Sequence, residues 1–432
     1  MKNTKIFPLL VMVALMATGC AKTSNNSSNQ VTVWHWMSDR EEAFETLAGR
    51  YEAATGIKVK FDLYAPSESY SQKVKAAAQT NTLPDVFGVL GETKDLASFI
   101  RSGYVANLQE DFGDGENSWK DEFFEKAVSH NEFLEGNEYK VAPGFYGVPL
   151  DVMTIQFLYN KQLLKKAGLN PESPPRTWVE FMNISRALKK AGIPILVSGF
   201  GEIWMLDAFS SNLAMNLMGE DKVFDTYRGK VPYTDSDWIE VLNVFKQMAD
   251  EDIIVKGAVT MVNKAAEQTF ANERAAFAFN GSWCVNVYKG MNPNLDYAAI
   301  LPPRLSEDHP MKVWGGAGSS FMVNAKSPRK DLAVGFLKWF TAPEQQAFLA
   351  DATQNLPSNR KSLLQISPVL AEFADDIEVT THPSTYPIHE SHMVSEAWAK
   401  GIQSILIGEK TPEQVAAEVQ SVKERDTERK NK

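Results

Sequence analysis

Apolar residues at the start of the regular part of the chain follow a strand–helix–strand pattern. Residues 31–36 (VTVWHW) are β-branched and aromatic, which predicts a strand. Phe44 begins a set of apolar residues at helical spacing that reaches Ala54, and Gly56 is a typical end for such a helix. Residues 57–61 (IKVKF) predict the next strand. This order predicts parallel strands that are covered by helices.

The alternation of strands and helices continues towards the C-terminus. A helix is predicted over about 69–79, and buried strands are predicted at 85–90 and 193–197. The sequence therefore predicts an α/β protein. Helix starts are predicted from capping boxes at Ser38–Glu41 and Thr177–Glu180, and from first-turn prolines after Ser327 and Thr411.

The first 19 residues have the features of a secretory signal peptide. Two lysines precede an apolar segment, 6–16, that is shorter than the roughly 20 residues needed to span a bilayer. The following Ala-Thr-Gly-Cys, ending at Cys20, is similar to the lipobox of bacterial lipoproteins, in which the cysteine is acylated and becomes the N-terminus. We therefore expect a lipid such as palmitate at Cys20 and a flexible polar tether over 20–30. A plain secretory signal stays open as an alternative.

Length, charge and cysteine content restrict the kind of protein. A single hydrophobic core stops growing at roughly 250–300 residues, so a chain of 432 residues is expected to form two domains. The formal net charge of −10 argues against nucleic acid as a partner. Cys284 is the only cysteine besides Cys20, so we expect no internal disulfide and a buried thiol at Cys284.

The sequence lacks the motifs of common catalytic and cofactor sites. It contains no HExxH motif, no Cys-His cluster and no G-x-S-x-G turn. The glycine-rich segment 315–320 (GGAGSS) lacks the Lys-Ser/Thr ending of a phosphate loop. The spacing of His389 and His392 favours an exposed polar helix face over a metal site. We therefore predict no catalytic residue, metal or cofactor, while a glycosidase-type pair of carboxylates stays open.

Aromatic residues stand at the ends of predicted strands and at the starts of loops. Ligands of open α/β sheets bind beyond the carboxyl ends of the strands, where rings can stack on the C–H face of a sugar. In AAFAFNGSW (275–283), a buried strand and an Asn-Gly turn lead directly to Trp283, which we interpret as a ligand contact. For Trp34 we prefer core packing. The full set comprises Trp34, Trp36, Tyr64, Tyr146, Trp204, Trp283 and Trp314.

Several segments are distinctive in combination and extend over essentially the whole chain. They include G-x-P-x-D at 147–151 followed by Y-N-K at 159–161, F-N-G-S-W at 279–283, and S-P-x-K with F-L-K-W-F over 327–340. Together with VTVWHW and TLPDVFG (82–88), they resemble the extracytoplasmic solute-binding lipoproteins of ABC importers. The resemblance is to the large carbohydrate-binding group of these proteins, which includes the maltose-binding protein (family 1).

This resemblance implies a two-lobed periplasmic-binding-protein fold of type II. Each lobe would contain a mainly parallel sheet flanked by helices, and the ligand would bind in the cleft between the lobes. The first lobe would comprise 31–152 and about 321–366, the second 153–316 and about 371–432, with crossings near 151–155, 316–320 and 366–371.

The resemblance also implies ligand contacts in loops of the first lobe, at the crossings and in the second lobe. Asp151 would present a carboxylate to sugar hydroxyls, and Trp283 matches the indole of the family's G-x-W turn. The expected contacts are Trp36, Ser38, Asp39, Gly91, Glu92, Thr93, Asp151, Met153, Trp204, Trp283, Gly315 and Gly316.

The function implied by the resemblance is binding without catalysis. The protein would capture a mono- or oligosaccharide as its lobes close and deliver it to the permease subunits of an ABC transporter. We expect a monomer anchored at the outer face of the bacterial membrane or located in the periplasm. Two alternatives stay open: a binder of another polar solute, such as a polyamine, glycerol phosphate or peptide, and a secreted carbohydrate-active enzyme.

Overall fold

Two large β-sheets flanked by helices form the fold, together with a small two-stranded sheet of residues 132–133 and 144–145. The computed structural model describes residues 29–90, 93–113, 115, 117–137 and 139–430. The predicted signal peptide, Cys20, most of the tether, Gly91 and Glu92 lie outside the described residues. The α/β class predicted from the alternation of elements is confirmed.

The strands and helices follow one another along the whole described chain. The strands are β1 (Gln30–His35), β2 (Lys58–Leu63), β3 (Val86–Phe87), β4 (Glu132–Phe133), β5 (Gly144–Phe145), β6 (Val148–Pro149), β7 (Asp151–Asn160), β8 (Leu196–Val197), β9 (Phe277–Gly281), β10 (Tyr297–Ile300), β11 (Val313–Ala317), β12 (Ser320–Val323), β13 (Leu356–Pro357) and β14 (Thr380–Thr381). The helices are α1 (Glu41–Thr55), α2 (Ser67–Thr80), α3 (Thr93–Arg101), α4 (Gln109–Phe112), α5 (Glu125–Ser129), α6 (Lys161–Lys166), α7 (Trp178–Lys190), α8 (Ile203–Tyr227), α9 (Ser236–Asp250), α10 (Asn263–Ala271), α11 (Cys284–Met291), α12 (Lys330–Phe340), α13 (Pro343–Thr353), α14 (Pro368–Ala374), α15 (His392–Leu406) and α16 (Pro412–Lys430).

The first sheet has the strand order β2-β1-β3-β12-β6. The strands β2 and β3 are parallel to β1, as the strand–helix–strand pattern predicts, whereas β12 is antiparallel to both β3 and β6. Phe44 of α1 packs on Phe61 of β2 and Phe340 of α12 at centroid distances of 4.8 and 5.6 Å. His35 is fully buried beside this aromatic cluster, 5.1 Å from Phe44 and 5.7 Å from Phe61.

The second sheet is built around β7 and has the order β14-β11-β7-β9-β8. Because β7 is ten residues long, its first half pairs with β11 and β13 and its second half with β9 and β10, all antiparallel. Parallel pairing is confined to β8 with β9 and β11 with β14. Both sheets are therefore mixed, whereas the sequence predicts mainly parallel sheets.

The chain passes between the two sheets through very short connections. Leu150 alone separates β6 of the first sheet from β7 of the second, and Gly318 and Ser319 separate β11 from β12. Later, β13 pairs with Asp151 and Val152 of β7, so the chain has reached the second sheet by Leu356. The lobe limits implied by the resemblance stay a prediction.

Two of the four predicted helix starts are formed as the sequence predicts. Thr177 and Glu180 form a capping box, and Thr411 and Gln414 exchange the equivalent hydrogen bonds. The prediction at Ser38 is wrong, because α1 begins at Glu41 after Arg40 without a side-chain cap.

The prediction at Ser327-Pro328 is also wrong, because α12 begins three residues later at Lys330. The Ser327 hydroxyl donates to the buried Asp85 carboxylate, which also accepts hydrogen bonds from Arg329. This tertiary contact holds the segment as a turn before the helix begins.

Four helices, α8, α9, α15 and α16, pack together beside the second sheet. Trp238 of α9 and Trp398 of α15 form the centre of this packing, with ring centroids 5.1 Å apart. The helix α8 is interrupted at Gly219, whose φ of 78° and ψ of 157° lie outside the helical region. The expectation for Cys284 is confirmed, since its thiol is fully buried and burial raises its pKa well above the usual value.

Candidate ligand-binding site

The crossings between the sheets contain a buried ion pair. Asp151 is 5% exposed, and its carboxylate pairs with the guanidinium of Arg40, which is 7% exposed. The other carboxylate oxygen accepts a hydrogen bond from the backbone N–H of Ser319 in the second crossing. Both charges are thus compensated within the protein. This geometry gives Asp151 a structural contact, and its predicted sugar contact stays a prediction.

The loop after β1 places three predicted contacts near this ion pair. Ser38 and Asp39 are exposed, and Trp36 is partly exposed. The Trp36 ring lies so close to Gly88 that a Cβ at that position would be 2.2 Å from it. Glycine at position 88 is therefore required for this packing, and one face of the indole is covered by the protein.

Trp283 packs in the same way on the glycine of its own turn. A Cβ at Gly281 would lie 2.0 Å from the Trp283 ring, and Trp283 Nε1 donates to Glu267 Oε1 at 3.2 Å. The ring is partly exposed and lies 5.9 Å from the ring of Trp204. Trp204 Nε1 in turn donates to Glu202 at 2.6 Å. The two indoles form a pair whose N–H groups are satisfied and whose rings remain partly exposed.

The glycines of the second crossing are part of the second sheet. Gly315 pairs with Thr154 and Gly316 with Met153, across β11 and β7. Both glycines are buried, and a Cβ at Gly315 would lie 2.4 Å from the Met153 carbonyl oxygen. Met153 is partly exposed. These positions hold the backbone of the crossing, and their predicted ligand contacts stay untested.

A cavity of about 640 Å³ lies between residues associated with the two sheets. On the first side it is lined by Thr93 and Lys94 at the start of α3 and by Tyr139. On the second side it is lined by α8, the start of α9, Trp314 of β11, the segment between β14 and α15, and the end of α16. Its volume falls in the range of about 300–1,000 Å³ that is typical of small-molecule sites.

The first turns of α8 connect the indole pair to this cavity. Trp204, Asp207 and Ser211 are separated by three and four residues, which places them on one face of the helix. Asp207 and Ser211 line the cavity, and Trp204 packs against Trp283. The sequence interpretation placed Trp204 in a loop, but it lies in the first turn of α8, and its helical spacing leads directly to Asp207.

Three polar groups of the cavity wall have no partner among the described residues. Trp314 Nε1 and Tyr386 Oη are buried, and their polar neighbours do not meet hydrogen-bond geometry. The Asp207 carboxylate has neither a hydrogen bond nor an ion pair within the described part of the chain. Burial raises the pKa of Asp207 to about 7. Native proteins satisfy most buried polar groups, so three unsatisfied groups in one cavity wall are unusual.

Aromatic and histidine side chains complete the wall and the opening. The Tyr139 hydroxyl lies 3.4 Å from His389 Nε2, which joins the two sides of the cavity at its edge. His382 lies 5.8 Å from Trp314 and 6.3 Å from His130, measured between ring centroids. Burial, with a smaller contribution from His130, lowers the pKa of His382 to about 4, so this ring is neutral at physiological pH.

The structure brings only part of the predicted set to the cavity. Thr93 lines it, whereas Trp204 and Trp283 do not; Trp204 lies one helical turn before Asp207 in α8. Trp314 belongs to the aromatic set noted in the sequence and does line the cavity, although it is absent from the predicted contacts. The sequence analysis did not predict Asp207 or Tyr386 as site residues. Helical spacing from Trp204 would have indicated Asp207, whereas no sequence pattern near Tyr386 indicates that it lines a cavity.

The described residues contain no group of three or more His, Cys, Asp or Glu side chains placed to hold a metal ion. Within the same part of the chain, no helix has the length and apolarity required to cross a membrane.

The chain matches the family model of the bacterial extracellular solute-binding proteins over residues 37–347. The chain belongs to this family. The resemblance inferred from the sequence motifs is therefore confirmed, and the match covers most of the first sheet and its helices, the crossings and the greater part of the second sheet.

Similar proteins with known names span most of this solute-binding protein. It is 24% identical over 340 residues to the multiple sugar-binding protein of Streptococcus mutans, covering 77% of this chain and 76% of the relative. It is 23% identical over 372 residues to the melibiose/raffinose/stachyose-binding protein MelE of Bacillus subtilis, covering 83% and 81%. A solved chitin oligosaccharide binding protein shares the fold with a TM-score of 0.72 at 23% identity, covering 93% of this chain and all of that one.

Proposed function

We propose that this solute-binding protein captures a mono- or oligosaccharide outside the cytoplasm and delivers it to the permease subunits of an ABC transporter. The observation that carries the proposal is the cavity beside the Trp204–Trp283 pair, in which aromatic faces adjoin unsatisfied hydrogen-bonding groups. Sugars combine apolar C–H faces with hydroxyl groups, so they match both features of this wall. The names of the two sugar-binding relatives support the same class of ligand.

Capture by closure follows from the position of the cavity. We propose two lobes, 31–152 with about 321–366 and 153–316 with about 371–432, joined by crossings near 151–155, 316–320 and 366–371. Thr93, Lys94 and Tyr139 would belong to the first lobe and α8 to the second. A ligand that contacts both lobes binds the closed state more tightly, and only this difference in affinity shifts the population towards closure.

The site is suited to binding without turnover. Asp151, the carboxylate at the crossing, is already paired with Arg40, and Glu267 beside Trp283 accepts hydrogen bonds from three side chains: Asn263, Asn280 and Trp283. Asp207 is the cavity carboxylate left unpaired among the described residues, and a lone carboxylate does not provide the acid and base pair of a glycosidase. The same negative group disfavours phosphate esters as ligands.

We also propose a lipid anchor at Cys20, with 20–30 as the tether and a monomeric protein at the outer face of the membrane. A single acyl chain binds membranes only marginally, so stable anchoring would require more than one chain. Metabolic labelling with a palmitate analogue tests this part: label should enter the wild-type protein and be lost in Cys20→Ser.

Binding is tested by calorimetry and thermal denaturation of the protein without its signal peptide. A panel of neutral and amino mono- and oligosaccharides is compared with sn-glycerol 3-phosphate, spermidine and a tripeptide. At least one saccharide should bind and raise the melting temperature by mass action, and the other solutes should not. Binding of only a non-saccharide solute, or steady release of a cleaved sugar, would contradict the proposal.

A further inference from the structure

The Asp207 carboxylate is unusual among the charged groups of the cavity. It lies on the cleft-facing side of α8, its side chain lines the cavity, and it has no hydrogen bond or ion pair within the described residues. Removing an uncompensated charge from water is costly in free energy, and proteins normally pair such a charge or coordinate it to a cation. The charged form of Asp207 therefore lowers the stability of the unliganded protein unless a positively charged group compensates it.

The other carboxylates that line the cavity are already compensated. Glu390 pairs with Lys423 Nζ and accepts a hydrogen bond from the Tyr233 hydroxyl at 3.1 Å. Asp426 pairs with Lys430 and Arg429, each at 2.7 Å. The protein thus supplies a cation to each of these two groups and leaves Asp207 without one in the described part of the chain.

The surroundings of Asp207 suit a positive charge. Tyr227 and Tyr233 line the same cavity, and burial raises the pKa of both phenols, with a further contribution from the negative charge of Asp207. Trp238 and Trp398 add indole rings to the same wall. Aromatic faces attract cations through the quadrupole of the ring, so the rings and the carboxylate favour the same kind of group.

We infer that the ligand of this cavity carries a protonated amine that pairs with Asp207, so that the captured saccharide is an amino sugar or an oligosaccharide containing one. This inference rests on the proposed function for the saccharide part of the ligand. The positive charge itself is inferred from the unpaired carboxylate and its aromatic surroundings.

The test compares saccharides that are identical except for one substituent. Glucose, N-acetylglucosamine and glucosamine are titrated, followed by galactose with galactosamine, and cellobiose with the dimer of glucosamine. In at least one set the protonated amine should bind ten-fold or more tightly than the hydroxyl or acetamido form. Asp207→Asn keeps the shape of the side chain and should remove this preference, so that the amine and neutral members of that set bind within three-fold of each other.

A matched control is available on the same helix. Asp221 is exposed and does not line the cavity, so Asp221→Asn makes the same change in net charge without touching the site. It should leave the preference for the amine intact. If Asp221→Asn lowered the preference as much as Asp207→Asn, long-range attraction rather than pairing would be responsible, and the inference would be overturned.

A second measurement concerns the protein without ligand. Because the folded-state pKa of Asp207 is raised to about 7, its charge costs stability progressively as the pH rises from about 4 to 7. Asp207→Asn should therefore raise the melting temperature at pH 8 and have little effect at pH 4. An unchanged or lower melting temperature at pH 8 would show that the carboxylate is compensated within the protein, which overturns the inference.

The outcomes separate the two proposals. Equal affinity for amine and neutral members of every set, or an amine preference that survives Asp207→Asn, overturns the inference and leaves saccharide binding in place. Failure of every saccharide to bind overturns the proposed function, and the amino-sugar inference with it.

Discussion

The carboxylate at the crossing between the sheets and the carboxylate in the cavity beside α8 differ in whether the protein provides a counter-charge. At the crossing, Asp151 and Arg40 are both nearly inaccessible and neutralise each other. In the cavity, burial raises the pKa of Asp207 to about 7, yet its carboxylate has no partner within the described residues. Asp151 has its counter-charge without a ligand, whereas Asp207 has no counter-charge among the described residues.

This contrast distinguishes residues that hold the fold from residues that are available to a ligand. A buried polar group with a partner inside the protein contributes to stability. Substituting it should lower stability and have little effect on the affinity of the protein for a ligand. A buried polar group without a partner costs stability and gains its partner on binding. Stability and affinity should therefore respond in opposite directions at the two sites.

The largest effect is expected from Asp151→Asn. This change leaves the buried Arg40 charge uncompensated, which should lower the free energy of unfolding by about 3–5 kcal/mol. Urea denaturation measures the loss. The control is Asp39→Asn in the exposed side chain beside Arg40, which should cost less than about 1 kcal/mol. A stable Asp151→Asn protein with strongly reduced ligand affinity would reverse the roles assigned to the two sites.

Acid sensitivity is expected from His35 in the first sheet. Burial lowers its pKa to about 4, so the folded state holds the neutral ring. Its contribution to stability is complete above about pH 6.5 and is lost as the pH falls towards 4, by about 2–3 kcal/mol at pH 4.5.

His35→Leu tests this contribution, because leucine suits the apolar site beside Phe44 and Phe61. The difference in unfolding free energy between pH 7.5 and 4.5 should shrink by that amount relative to the wild type. An unchanged difference would mean that other groups, such as the cavity histidine His382, dominate acid unfolding.

A smaller effect is expected at Trp283, because this side chain combines a satisfied polar group with a partly exposed ring. Its indole N–H is satisfied by Glu267, but the ring remains partly exposed beside Trp204. Trp283→Ala should weaken ligand binding by about 1–3 kcal/mol, since a stacking face is lost, while the fold survives. Calorimetry with the best saccharide of the panel measures the change. Unchanged affinity would assign the ring to packing alone.

The smallest effects are expected from two tyrosine hydroxyls. The Tyr70 hydroxyl is buried and accepts from Gly88 N at 2.7 Å, whereas the Tyr386 hydroxyl is buried without a partner. Tyr386→Phe should therefore raise stability slightly and weaken ligand binding by about 0.5–1.5 kcal/mol. Tyr70→Phe is the matched control and should lower stability without changing affinity. Loss of stability in both variants would contradict the contrast.

Much of the fold could be predicted from local patterns. The strand–helix–strand unit, the capping box at Thr177, the helix start after Thr411 and the burial of Cys284 depend on residues close together in the sequence. The failures at Ser38 and Ser327 have a different cause: tertiary contacts formed by Arg40 and Asp85 take precedence over local capping.

The candidate site could be predicted only in part. Trp283 and Trp314 stand out because aromatic residues at strand ends are conspicuous, and Asp207 follows from Trp204 once the helix is recognised. Tyr386 lies far along the chain, and neither its burial nor its missing partner can be inferred from neighbouring residues.

The sequence by itself determined the α/β class, the family of the chain and the aromatic character of the candidate site, because periodicity, caps and motifs are encoded within short segments. Only the tertiary structure decided which carboxylate is neutralised and which is left open. That distinction depends on whether a cation from a distant part of the chain, such as Arg40 for Asp151, comes within reach. Whether a carboxylate is desolvated and paired depends on the residues that folding brings around it. Two aspartates of the same chain, Asp151 and Asp207, can therefore have opposite roles.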